Sequence, residues 1–142
     1  MKVKINTCIC FNGNCAEALA FYEKAFGAKA EIAGLYKDNP ATNEEERGGT
    51  PQDSKYADYI MHASMKLDEG QELHFADFPD APPFNGSMSI SLSFDNIEKA
   101  KQVFKHLSQD GKVVHEIGKV FWSECFGNVA DKFGVDWMIT VL

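Results

Sequence analysis

A chain of 142 residues with 44% hydrophobic side chains and eleven Phe carries enough apolar material for one domain with a substantial core, which excludes a disordered segment. A formal charge of −7, from 21 acidic against 14 basic residues, excludes a nucleic-acid backbone as the expected partner, because phosphate binding rests on clustered Lys and Arg. No apolar run reaches the length of a membrane span, and Lys2 and Lys4 are not followed by an apolar signal segment, so the expectation is a cytoplasmic protein with no membrane partner.

Residues 3–11 alternate Val3, Ile5, Ile9 and Phe11 with Lys4, Asn6, Cys8 and Cys10, the period of a strand with one apolar face. A helix follows. Asn14 stands at an N-cap position with Glu17 three residues on, and Ala18, Leu19, Tyr22, Ala25 and Phe26 keep helical spacing up to Gly27. The period returns to two over about 28–36, 57–67 and 71–78, with Asp68-Glu69-Gly70 as the hairpin turn between the last two. Residues 37–55, which include Asn39-Pro40, Glu44 to Glu46, Gly48-Gly49 and Pro51, show no apolar period. They are predicted as a long exposed loop with no adjacent strand or helix.

The same order then repeats. Pro79 to Gly86, with Pro82-Pro83 and Asn85-Gly86, connects the halves, and 87–94 alternates Met88, Ile90, Leu92 and Phe94 with Ser87, Ser89, Ser91 and Ser93. Asp95 with Glu98 repeats the capping pattern, Ile97, Ala100, Phe104 and Leu107 form an apolar stripe, and Gly111 closes the predicted helix. Strands are predicted at 112–117, 120–127 and 135–142, the last introduced by Phe133-Gly134. Each half reads βαβββ, giving an α+β fold of two modules, about 1–80 and 86–142, within one domain spanning 1–142. The connection is not read as a domain boundary, because each half has one helix to cover one sheet face and would leave the other bare.

The cysteines at 8, 10, 15 and 125 lack the repeated spacings of a disulfide framework and read as reduced thiols.

Several stretches resemble a known family: Phe11-Asn12-Gly13-Asn14-Cys15 followed by Glu17-Ala18 and Phe21-Tyr22, then Phe26-Gly27; Met61-His62-Ala63; and Asp131-Lys132-Phe133-Gly134-Val135-Asp136-Trp137-Met138-Ile139. Together they resemble the PhnB-like branch of the vicinal-oxygen-chelate (glyoxalase/bleomycin-resistance/dioxygenase) superfamily, over nearly the whole chain apart from the 37–55 loop. The resemblance implies two modules whose mixed sheets curl into a cup, helices outside and ligand inside, often in a homodimer. It also implies that a metal, where present, is held by the first and last strand of each module, commonly by His or Gln on the first and Glu on the last. The methyltransferase label that PhnB-like sequences often carry finds no support in the residues, because no Gly-rich turn joins a strand to a helix as a Rossmann-like cofactor fold requires.

If the apolar faces pack on the helices, the opposite faces offer Asn6, Cys8 and Cys10; Glu72, His74 and Ala76; Ser89, Ser91 and Ser93; and Asp136, Met138 and Thr140. The four family metal positions then read Asn6, His74, Ser89 and Met138. That set has one good ligand where a divalent first-row ion needs three or more imidazole, carboxylate or thiolate donors, so no cofactor is expected. The alternative is a divalent metal at His62, Glu72 and His74. If Ser64 faces His74 across the hairpin, His62 is its diagonal neighbour about 7 Å away.

The competing reading of the two histidines is a hydrogen-bonded pair in a pocket. A thiol at Cys8 or Cys10, its pKa lowered by a histidine, is a candidate nucleophile, against which stands simple burial. Trp122 is a candidate stacking wall for a flat ligand, while Trp137 has the parity of the core. The reading is a metal-free cup that binds a small organic molecule. The alternative is an enzyme of lyase, transferase or dioxygenase type using the metal or a cup thiol. The polar 37–55 loop beside such a cup would serve as a lid.

Overall fold

The computed structural model describes residues 1–48 and 50–142, so the predicted Gly48-Gly49 pair lies partly outside the described residues. The chain divides into two compact units, residues 1–23 with 27–82 and residues 24–26 with 83–142. Each unit carries one four-stranded mixed sheet.

In the first unit the elements are β1 (Thr7–Phe11), α1 (Cys15–Phe26), β2 (Ala30–Leu35), α2 (Glu44–Arg47), β3 (Ile60–Asp68) and β4 (Gln71–Asp77). The sheet order is β1-β4-β3-β2, with β1 parallel to β4 and the other pairs antiparallel. The second unit repeats this with β5 (Ser89–Phe94), α3 (Ile97–Leu107), β6 (Lys112–Val120), β7 (Ser123–Ala130) and β8 (Asp136–Val141) in the order β5-β8-β7-β6. The βαβββ plan is therefore present twice.

The cores follow the predicted periods. On the first sheet Ile9, Phe11, Ala63, Met65, Leu73 and Phe75 are buried together with Ala18, Leu19, Tyr22 and Ala25 of α1. The Tyr22 ring lies 5.7 Å from Phe75 and 6.5 Å from Phe11, so one aromatic joins helix to sheet. In the second unit α3 buries Ala100, Val103, Phe104 and Leu107, and Trp137 and Ile139 of β8 are fully buried.

Where Gly127 of β7 passes α3, an added Cβ would stand 2.7 Å from Phe104 Cε2 and 2.9 Å from Ile117 Cβ, so only glycine lets them approach.

Several boundaries differ from the sequence reading, each for a physical reason. The first strand begins at Thr7 rather than residue 3, because parallel pairing with β4 starts at Thr7–Leu73; Val3 and Ile5 keep the strand alternation but are 74% and 90% exposed. Asn14 is the residue before α1, yet its side chain caps nothing. The cap comes from Asp77, whose Oδ1 accepts from Gly13 N at 2.7 Å and Cys15 N at 3.1 Å.

In the second unit Asn96, not Asp95, caps α3 by accepting from Lys99 N at 2.8 Å. That helix ends at Leu107, before Gly111, and Gly111 is required instead by its approach to Ala130, whose carbonyl would lie 2.5 Å from an added Cβ. The 37–55 segment is not a featureless loop, since it contains α2 and overlaps, at its two ends, one-turn 3-10 helices at Tyr36–Asp38 and Ser54–Tyr56. Gly48 thus does have a helix beside it, and takes up the left-handed conformation at the end of α2. The β6–β7 hairpin turns at Phe121-Trp122 instead of before residue 120, with Val120 paired to Ser123. Among the described residues no helix is long and apolar enough to cross a membrane.

Candidate functional site

The helix-free faces of the two sheets hold nearly all the polar side chains that the sequence singled out. On the first sheet, one row across the strands reads Glu31, Ser64, His74 and Cys8, taken from adjacent Cα partners on β2, β3, β4 and β1. Ser64 does face His74, so His62 is its diagonal neighbour on β3. The histidine rings meet there. His62 Nε2 and His74 Nδ1 are 2.9 Å apart, a hydrogen bond between two half-buried side chains.

His74 Nε2 lies 3.3 Å from Glu72 Oε2, within ion-pair distance, but makes no hydrogen bond although it is itself buried. A buried polar atom left without a hydrogen bond costs about 1–3 kcal/mol.

The metal alternative does not fit this geometry. Two imidazole nitrogens on one tetrahedral ion stand roughly 3.3 Å apart, with each nitrogen about 2.0 Å from the metal. The facing nitrogens of His62 and His74 are closer than that and already share a proton. Among the described residues no group of three or more His, Cys, Asp or Glu side chains is placed to hold a metal. The family-type set fits no better: Asn6 precedes the first strand and is exposed, Ser89 is hydrogen-bonded to Asp136, and Met138 offers only a thioether.

The thiols argue against a cup nucleophile. All four cysteines are free. Although Cys8 is an exposed residue, partial burial pushes its thiol up to about 11, and Cys10 two residues on adds to the rise. Cys15 is fully buried, and burial followed by the Asp77 charge pushes its thiol up further. A thiol held protonated at neutral pH is a poor nucleophile. Iodoacetamide labelling of Cys8, followed by mass spectrometry of its peptide, is therefore expected to run at least about tenfold slower at pH 7.5 than labelling of a free thiol. It should then climb with pH up to 10; labelling as fast as glutathione would restore the nucleophile.

On the second sheet the corresponding face carries Ser89, Ser91 and Ser93 on β5, paired with Asp136, Met138 and Thr140 on β8. Asp136 gathers donors, accepting from Ser89 Oγ in a short hydrogen bond and from Asn128 Nδ2 at 2.8 Å. Ser91 and Met138 are exposed on this face. Trp122 sits at the hairpin tip, 58% exposed, with its ring 5.3 Å from Phe126 and 4.8 Å from Phe121. His115 lies 5.5 Å from Phe126, so these rings form a chain of contacts on the β6–β7 hairpin. Sequence reasoning missed Asn128, although its alternation with buried Cys125 and Val129 places it on this face.

The 37–55 segment has a cavity of its own, about 440 Å³, lined by Tyr36, Lys37, Arg47, Thr50, Gln52 and Asp53 among others. None of the sequence-predicted site residues lines it.

Comparison with known proteins gives a consistent answer. Residues 4–139 match the Glyoxalase/Bleomycin resistance protein/Dioxygenase superfamily. The protein YjdN of Escherichia coli is 29% identical over 134 residues, covering 93% of this chain and 90% of that protein. The crystal structure of protein PA1353 from Pseudomonas aeruginosa is similar with a TM-score of 0.80 and 32% identity, covering 99% of this chain and 98% of the other. A Bacillus cereus structure described as a putative 3-demethylubiquinone-9 3-methyltransferase, PhnB protein, has a TM-score of 0.71 and 28% identity, with 99% and 100% of the two chains covered.

Proposed function

Because the chain belongs to the Glyoxalase/Bleomycin resistance protein/Dioxygenase superfamily, in its PhnB-like branch, we propose that it binds a small organic molecule without a resident metal. The observation that carries this reading is the buried Nε2 of His74, a polar atom without a hydrogen bond on the sheet face away from the core. Around it stand Glu72, His62, Ser64 and Cys8. The second sheet, taken by itself, offers hydroxyl, amide and carboxylate groups at Ser91, Asn128 and Asp136, and flat apolar surface at Trp122 and Phe126. Few polar groups beside aromatic surface is the composition of an organic-ligand site.

The test is a panel of small aromatic and carbonyl compounds screened by thermal shift, with hits measured by calorimetry. At least one class is expected to bind, with affinity about tenfold weaker in His74→Ala and in Trp122→Ala. Binding unchanged in both variants, or near-stoichiometric metal in protein purified without a tag or chelator, would remove this reading. Met1, Val3, Ile5 and Met88, each at least 74% exposed, are apolar surface that a second copy would cover. Sedimentation of the same samples is therefore expected to show a homodimer, and a monomer at micromolar concentration would withdraw it.

A further inference from the structure

The chain holds two Asn-Gly dipeptides, Asn12-Gly13 and Asn85-Gly86, and the fold treats them oppositely. Such a pair is chemically labile wherever the glycine nitrogen is free to reach the asparagine side chain, because a residue without a Cβ leaves that approach open.

At Asn12-Gly13 the approach is closed. Gly13 N donates to Asp77 Oδ1 at 2.7 Å, Asn12 Nδ2 donates to the Pro79 carbonyl at 2.8 Å, and Asn12 Oδ1 accepts the Tyr59 hydroxyl at 3.0 Å. Both the attacking nitrogen and the amide it would attack are held. The backbone has no room to turn either, since a Cβ added at Gly13 would stand 2.8 Å from the Tyr59 hydroxyl oxygen.

At Asn85-Gly86, on the segment leading into β5, these restraints are missing. Asn85, Gly86 and Ser87 are all exposed, Gly86 takes a φ of +78°, and apart from its chain neighbours no atom lies within 4 Å of a Cβ built on it. Neither Gly86 N nor Asn85 Nδ2 makes a hydrogen bond among the described residues. The contact that does exist activates the amide. Asn85 Oδ1 accepts from Ser87 N at 3.0 Å, which folds the side chain back along the backbone of Gly86 and polarises its carbonyl.

We infer that Asn85 is a modification site, at which the folded protein converts the side-chain amide to a carboxylate through a cyclic imide while Asn12 is preserved. The reaction needs only water. Gly86 N loses its proton to solvent and bonds to Asn85 Cγ, and the Ser87 N–H faces the oxygen on which negative charge collects. The Cγ–Nδ2 bond then breaks, and the nitrogen leaves as ammonia after taking a proton from water. One water molecule opens the five-membered ring. Cleavage at Cγ gives an ordinary aspartyl residue; cleavage at the main-chain carbonyl gives an isoaspartyl residue, joined to Gly86 through the former side chain.

Either product adds one negative charge to the formal −7. The isoaspartyl product also lengthens the main chain by one methylene just ahead of β5, whose pairing with β8 starts at Ser89–Asp136. An isoaspartyl carboxylate on an exposed segment is the substrate class of a protein carboxyl methyltransferase that uses S-adenosylmethionine.

The test is ageing of the full chain at pH 7.4 and 37 °C, folded and in urea, with peptide mapping in which fragment ions assign the mass gain of amide hydrolysis to a residue. In the folded protein Asn85 is expected to convert at least about tenfold faster than Asn12, the factor set by one hydrogen bond to a charged group that Gly13 N must first give up. In urea the two rates should converge. Methyl transfer by an isoaspartyl methyltransferase is expected to label aged wild type well above aged Asn85→Gln. Asn85 persisting in the folded chain while it converts in urea, Asn12 converting as fast as Asn85 in the folded chain, or equal labelling of Asn85→Gln would each overturn the assignment.

Discussion

Replacing Asp77 by alanine is expected to destabilise the protein by about 3 kcal/mol or more, the largest single effect among side chains outside the apolar core. Asp77 ends β4 on its buried face and is 1% exposed. Its carboxylate accepts from three backbone N–H groups of two distant segments: Oδ1 from Gly13 and Cys15 at the start of α1, and Oδ2 from Ile60 at the start of β3, at 2.9 Å. Its own carbonyl accepts the Tyr36 hydroxyl. Burial, then the Asp77 charge, pushes the Tyr36 phenol up to about 12, so Tyr36 stays a donor across the working pH range.

The negative charge also faces the N-terminal end of the α1 dipole. With alanine, buried N–H groups lose their acceptor at once. Asn is expected to fail nearly as badly, because its amide NH₂ would meet either the Ile60 N–H or the α1 pair. Urea unfolding with an unchanged slope and a lowered midpoint is the expected record for both variants. A loss below about 1 kcal/mol in Asp77→Ala would show that other groups or water replace the carboxylate.

The second unit has its own buried carboxylate. Asp131, 4% exposed, accepts from Phe133 N at 2.9 Å and Val135 N at 3.1 Å through Oδ1, and from Trp137 Nε1 at 2.8 Å through Oδ2. It closes the turn that leads into β8 and orients the largest fully buried side chain of the protein. Asp131→Ala is expected to cost about 2–3 kcal/mol, since the turn loses its acceptor and a fully buried indole N–H loses its partner. Trp137→Phe separates the two contributions. It keeps most of the ring and the turn but removes one donor, and should cost about 1–2 kcal/mol by urea unfolding. If Trp137→Phe proved as damaging as Asp131→Ala, packing of the indole would matter more here than the hydrogen bonds to the carboxylate.

These carboxylates mark where sequence reading stops. Asp77 follows Leu73 and Phe75 at the spacing of buried positions, and the period alone gives no reason for a charge there. The reason is an approach of β4 to the segments Gly13–Cys15 and Ile60, 64 and 17 residues away along the chain. For the same cause Asn14 looks like the cap of α1 in the sequence but does not act as one, because a better acceptor arrives from elsewhere in the fold. Asn96 in the second unit meets no such competitor and caps α3 with its own side chain.

The sequence by itself determined the twice-repeated βαβββ order, the two cores, the hairpin at Asp68-Glu69-Gly70 and the diagonal placement of His62 and His74. Each of these is a periodicity of two or of 3.6, or a local turn preference, and such signals are carried by neighbours in the chain. Only the tertiary structure decided where the first strand starts, which side chains cap α1, that the turn between β6 and β7 falls on Phe121-Trp122, and how the histidine rings meet with Glu72 beside them. Those features depend on strand register and on donor–acceptor geometry between segments far apart in sequence, which a linear pattern leaves open because a shift of one residue or one rotamer changes the partner.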